Sequence, residues 1–383
     1  MPRRMTAKVL AATMLGTMDS NALVPVIAFY AQHLGADVVS IGIIVGLFSA
    51  VHAPANLLFG RIADRVGRKL PLEAGLLWDS VSLFLYSVAS TPLQLALVRV
   101  SHGLGSGLVG PSSMALIADT SSPERKGRAM ALYGMAIALA VVIGFGMAGP
   151  IVERFGFAPL FYVLSVALLA GFLISVTLRE PAHARAPSMA WRRLLSHATR
   201  PGPSAGYASI FSLYFILGAF VALMPLHLQQ ELKLGPLAVG LSFTAFAILS
   251  LILHYPAGIL SDRFGPATPA AIGLVAVAIA MATLPLLREL ATLLVVMALF
   301  GVGHGFVFPS ASALVSRDAD SGQHGLVTGL FYAILVAGVA VGAPTMASVA
   351  SLSSYGTGIW ASAWIALLGL AFIGRVLIRS GGA

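Results

Sequence analysis

Gly60-Arg61-Ile62-Ala63-Asp64-Arg65-Val66-Gly67 returns 198 residues later as Gly258-Ile259-Leu260-Ser261-Asp262-Arg263-Phe264-Gly265, and this recurrence decides the fold. The same displacement sets Pro71 on Pro269 and Gly75 on Gly273. It sets Gly103, Gly105, Gly107, Pro111, Ala115 and Leu116 on Gly301, Gly303, Gly305, Pro309, Ala313 and Leu314, while Gly42 falls on Gly240 and Gly127 on Gly325. One offset held over 85 residues marks a duplication even in a Gly-rich chain. The chain is two homologous halves.

Each half is built of apolar runs. The 383 residues are 58% hydrophobic and 10% charged, with a mean hydropathy of +0.92, whereas soluble domains are about 25% charged. A bilayer-spanning helix needs roughly 20 mostly apolar residues, which leaves room for on the order of twelve. The runs are too long and too continuous for the alternating, roughly ten-residue strands of a membrane barrel. The expected fold is therefore an all-α integral membrane protein of twelve transmembrane helices in two pseudo-twofold-related six-helix bundles. Their bounds are 1–178 and 205–383, with a cytoplasmic linker over 179–204, the one long polar stretch. The first span is expected over 7–31 as a single run. The 40 Gly and 21 Pro read as packing and hinge points.

The formal charge of +9 raises the possibility of a nucleic-acid partner, but that reading needs a basic face on a folded domain. With both termini cytoplasmic, 19 of the 23 Lys and Arg fall in inside segments; Arg154, Lys233 and Arg288 lie outside and Arg99 lies within a span. The charge is topological, which predicts a multi-pass protein of the cell's inner membrane with no nucleic-acid partner. The absence of Cys removes disulfides, thiolate catalysis and Cys-ligated metals. No HExxH, clustered metal ligands or P-loop is present, so neither a metal nor another cofactor is expected and a membrane enzyme is a remote alternative.

The segment Gly60 to Lys69 resembles, at every signature position, the GxxxDRxGRR/K inner loop of the major facilitator superfamily. Read as residues alone, Gly60 and Gly67 permit a tight turn against a neighbouring helix, and Asp64 can accept from the amide end of another helix. The resemblance implies a conformational latch made of Gly60, Asp64, Arg65, Gly67 and Arg68, with Asp119 pairing to the second arginine, Arg68. The second copy is eroded: Pro266 stands at the position of Arg68 and Arg317 at that of Asp119, so Asp262 and Arg263 form a reduced latch. Arg99-Val-Ser-His102-Gly103-Leu-Gly105 resembles the RxxxGxG element of the proton-coupled drug-efflux branch, with His102 where that branch usually has glutamine. Gly144 to Pro150 resembles the antiporter hinge GxxxGPxxGG in part, with Gly149 and Pro150 retained as the hinge.

Asp19, Asp79 and Arg99 fall within predicted spans, where ionisable groups are costly and mark functional sites. A carboxyl group there can take up a proton on one side and release it on the other. Asp19 is the first candidate for that role, with Asp79, Arg99, His102 and Asn21 as further cavity residues. A static Asp79–Arg99 ion pair is an equal reading for Asp79. His52, Asn56, His254 and His304 read as interhelical hydrogen bonders.

Two repeated bundles leave a cavity between them that rocking exposes alternately, the arrangement of a secondary transporter. With the resemblance, the expected function is proton-coupled export of amphipathic or hydrophobic organic compounds by a monomer in the bilayer. An organic-anion carrier using Arg99 and a lipid or lysolipid transporter remain alternatives.

Overall fold

The computed structural model describes residues 3–119, 126–179, 196–317 and 324–381. Most of the expected linker, and the side chain of Asp64, lie outside the described residues. In the first half the helices are α1 (Arg3–Leu23), α2 (Ile27–His33), α3 (Val38–Val66), α4 (Lys69–Val88), α5 (Pro92–Asp119), α6 (Lys126–Phe155) and α7 (Phe157–Val176). In the second they are α8 (Pro201–His227), α9 (Pro236–Phe264), α10 (Ala267–Thr283), α11 (Leu290–Ser316), α12 (His324–Ser351), α13 (Tyr355–Ala363) and α14 (Ala366–Gly381).

Among the described residues nine helical stretches are long and apolar enough to cross a membrane, ten when the bent pair α1–α2 counts as one. The nine include α13 and α14 as a single stretch, Tyr355–Ile378. Adding α4 and α5 makes twelve crossings. These two are less apolar because they carry Glu73, Asp79, Arg99, His102 and Ser106. The first span is not the single run expected over 7–31: its two pieces meet at 52°. Pro25 lacks the amide that would continue the helix, and Val24 and Val26 close turns onto Asn21 and Leu23 instead.

Two compact units are distinguished. One comprises Met1–Ala36 and Leu47–Pro187; the other comprises Asp37–Gly46 and Ser188–Ala383. The first turns of α3 thus group with the second unit, because Gly42 and Gly46 have no side chain to hold them off Ala340, Ala343, Pro344 and Ala347 of α12.

Within each unit, small residues set how close the helices come, as expected where lipid offers no hydrophobic force between them. In the first unit, a Cβ on Gly103 would lie 2.8 Å from the Phe48 carbonyl of α3, and one on Gly105 would collide with the Asp79 carboxyl of α4. Helix α5 is wedged between α3 and α4 by this pair. The second unit repeats the device, with Gly301 against Phe246 of α9 and Gly303 against Gly273 and Val277 of α10. The expected turn in the Gly60–Lys69 segment is narrower than its two glycines imply. Gly60 is helical within α3, and Gly67, at φ 105°, takes the backbone conformation that side chains resist.

Candidate functional site

Asp19, Asp79 and His102 converge in the first unit. Asp19 lies fourteen residues from either end of the bent pair Met5–His33, and Asp79 is ten residues from one end of α4 and nine from the other. Both therefore sit at mid-span. Asp19 is 1% exposed, and Asp79 and His102 are 0% exposed. The carboxyl oxygens and imidazole nitrogen available for bonding all lie within 4.8 Å of one another.

His102 Nε2 is 2.9 Å from Asp19 Oδ2, and its Nδ1 is 3.2 Å from the hydroxyl of buried Tyr86. The tautomer that satisfies both has Nε2–H donating to Asp19 and Nδ1 accepting from Tyr86. Ser106 Oγ donates to Asp79 Oδ2 at 2.9 Å. The other oxygens, Asp19 Oδ1 and Asp79 Oδ1, are buried with no hydrogen-bond partner. Such an orphan acceptor costs roughly 1–3 kcal/mol unless a proton or cation reaches it.

Arg99, read above as a possible ion-pair partner of Asp79, instead places its guanidinium carbon 4.9 Å from the centroid of Phe48. Phe48 in turn stacks on His52 at 5.2 Å and meets the His102 ring at 4.9 Å. His52 is tied within α3 to Asn56 at 2.7 Å. Asn21 does not join the cluster: it donates to the Thr17 carbonyl of its own helix at 2.6 Å, beside the close approach of α1 to Gly144. Tyr86, Ser106 and Phe48 are members that the sequence reading did not pick out. A signal for two of them existed, because Asp79 and Tyr86 are seven apart on α4 while Arg99, His102 and Ser106 follow at three and seven on α5, each set on one helical face.

The acidic cluster of the first unit is not repeated at the equivalent positions of the second half. At the 198-residue offset Asp19, Asp79, Arg99 and His102 become Leu217, Val277, Met297 and Phe300. The second unit has a cluster without carboxyl groups instead, in which His304 bonds Ser250 at 2.7 Å and Tyr214 at 3.2 Å, and His254 bonds the Ser250 carbonyl. Phe308 stacks on His304 at 5.9 Å.

Of the expected latch, Arg68 is 6% exposed and its Nε donates to Asp119 Oδ2 at 3.2 Å. Lys69 bonds the Val176 carbonyl at 2.9 Å. Arg65, Asp262 and Arg263 are exposed, and Arg263 lies over Phe264. Gly149 is buried and Pro150 exposed, inside an α6 that continues to Phe155.

The family model of the Major Facilitator Superfamily matches residues 9–204 and 206–380. Multidrug resistance protein 1 of Bacillus subtilis is 28% identical over 63% of this chain and 62% of its own length, so the matched stretch spans less than two thirds of that relative. Multidrug resistance protein MdtH of Sodalis glossinidius is 28% identical over 86% of this chain and 82% of its own. Among solved structures, a bacterial homologue of the human lysosomal transporter Spinster has a TM-score of 0.84 at 14% identity, covering 97% of this chain and 95% of that one. The nucleoside transporter NupG has a TM-score of 0.79 at 15% identity, covering 97% and 99%. These likenesses carry the fold, and the family match carries the class. The chain belongs to the major facilitator superfamily and is a multi-pass membrane transporter, not an enzyme.

Proposed function

We propose that this transporter exports amphipathic or hydrophobic organic compounds by alternating access in exchange for protons, with Asp19, Asp79 and His102 as the coupling group. The observation that carries the reading is the convergence of two carboxyl groups and an imidazole within 4.8 Å at mid-span, each carboxyl with one unpartnered oxygen. Groups this close bind and release protons as one unit. A carboxyl pair buried without a fixed cation between its oxygens has an open place for a proton. The names of the two bacterial relatives, both multidrug resistance proteins, support the substrate class. So does a second unit whose polar cluster around His304 is ringed by aromatic side chains.

In this reading the protein is a monomer of the cell's inner membrane with both termini cytoplasmic. Its bundles are 1–178 and 205–383, joined by the linker 179–204. Gly60, Asp64, Arg65, Gly67, Arg68 and Asp119, with Asp262 and Arg263, act as the conformational latch, and Gly149 and Pro150 as the hinge. The donor set of two carboxyl oxygens and one imidazole nitrogen is also of a kind that ligates a metal cation. The test therefore compares gradients. Purified protein in vesicles is given an inward proton gradient, or an equal gradient of sodium at constant pH, and efflux of a fluorescent hydrophobic cation is followed. Efflux driven by the proton gradient alone is expected; efflux driven by sodium alone overturns proton coupling.

A further inference from the structure

We propose that the second unit holds a phospholipid headgroup in a pocket of its own residues, with phosphoethanolamine as the headgroup it fits. The pocket has a volume of about 340 Å³, within the range of roughly 300–1,000 Å³ for small-molecule sites. It opens where α8 ends and α13 begins, between His227, Glu231, Arg288, Ser354, Thr357 and Trp360. The proposal does not rest on the transport reading.

Three observations give the pocket its chemistry. His227 is 4% exposed and its Nε2 has no hydrogen-bond partner, so a buried imidazole nitrogen faces a cavity with nothing to bond. Gly356 closes over that ring; a Cβ there would lie 3.4 Å from His227 Cε1 and 3.2 Å from Pro285. Arg288 forms no ion pair among the described residues although Glu231 lines the same pocket.

The donors favour a phosphate group. Arg288 offers a planar fork of N–H groups, His227 an imidazole N–H, and the Ser354–Thr357 hydroxyl pair, 2.9 Å apart, keeps one proton to donate. Ser354 caps α13 by accepting from the Thr357 amide at 3.1 Å, so the positive end of that helix faces the same space. Glu231 would repel a simple anion but suits the ammonium of a zwitterion. A lipid rather than a free phosphate is favoured by the rim. Leu286 is 74% and Trp360 47% exposed, and Trp360 packs edge-on against exposed Trp364 at 5.5 Å, the aromatic composition found at a membrane–water boundary.

Native mass spectrometry of the full-length protein in detergent, titrated with phosphatidylethanolamine, phosphatidylglycerol or inorganic phosphate, tests this. Wild type is expected to hold one phosphatidylethanolamine. Arg288→Gln and His227→Gln should each lower its occupancy at least about tenfold, equivalent to ~1.4 kcal/mol, while Lys233→Gln, a cation outside the pocket, leaves it unchanged. Glu231→Gln should weaken phosphatidylethanolamine but not phosphatidylglycerol. Thermal unfolding without lipid separates loss of the site from loss of the fold, and Arg288 is exposed, so its variant folds. Unchanged occupancy in Arg288→Gln overturns the proposal. So does inorganic phosphate that displaces the lipid adduct at equal concentration, which would make this a free-anion site.

Discussion

His102 Nε2 and Asp19 Oδ2 lie 2.9 Å apart across 83 residues of sequence, both side chains shut away from solvent. The imidazole is held on its far side by Tyr86, so its ring cannot turn away from Asp19 without breaking a second bond. Asp79 approaches the same pair from α4, at a place kept open by the missing side chain of Gly105. A proton added to this group changes the charge of a buried, fixed site, where electrostatic effects are large.

Asp19→Asn should abolish proton-driven transport and leave folding intact, because the amide matches the carboxyl in shape and removes only its titration. Gradient-driven uptake by inverted vesicles, alongside the thermal unfolding midpoint, is the measurement. Transport unchanged in the variant would rule Asp19 out as a coupling group.

His102→Gln separates bonding from titration. Glutamine can still donate to Asp19, whereas His102→Ala leaves a buried carboxyl oxygen without its donor, at a cost of roughly 1–3 kcal/mol. If His102 serves as a hydrogen-bond donor, coupled transport survives in the glutamine variant and fails in the alanine variant. Equal failure of both at every pH would mean that the imidazole itself carries the proton.

Gly105→Ala should destabilise the first unit by about 1–3 kcal/mol, the usual range for overpacking, because the new Cβ meets the Asp79 carboxyl. Asp79→Ala in the same chain should recover part of that loss. A thermal-shift cycle over the two single variants and the double variant reads the coupling, and strictly additive shifts would show that the two positions do not crowd one another.

Asp119→Asn removes the charged partner of Arg68, whose side chain is 7% exposed while that of Asp119 is 28% exposed. A loss of about 1–3 kcal/mol is expected for a hydrogen-bonded pair of this partial burial, seen as a lower unfolding midpoint that added salt does not restore. No change in the midpoint would place the pair among ion contacts of no measurable worth.

Asp37 precedes α3 and its Oδ1 accepts from the Ser40 amide at 2.7 Å. The backbone hydrogen bond from Ser40, and after it the Ser40 side chain, holds this exposed carboxyl below its ordinary value. A carboxyl depressed in the folded state contributes its stability above the unfolded value, about 3.9, and loses it as pH falls through the folded one. Exchange protection of the Ser40 amide should therefore hold from neutral pH down to the carboxyl range and fall below it. In Asp37→Ala it should be low throughout.

What could be read from the sequence is one-dimensional in its physics. Hydropathy along the chain decides what faces lipid, since each span must satisfy its backbone internally and carry an apolar surface. The repeat of Gly103 and Gly105 as Gly301 and Gly303 likewise marks two close helix contacts, because a missing Cβ has the same effect wherever it recurs. Helical periodicity also puts Asp79 with Tyr86, and Arg99 with His102 and Ser106, on single faces. It cannot say which faces meet. That Asp19 bonds His102, that Asp79 takes Ser106 and not Arg99, that Asn21 turns back onto Thr17, and that Gly60 is helical while Gly67 makes the turn were decided by tertiary structure. Rotation of each helix about its own axis is set by packing against neighbours far away in the chain, and a polar side chain inside a membrane bonds whichever group that packing brings within about 3 Å.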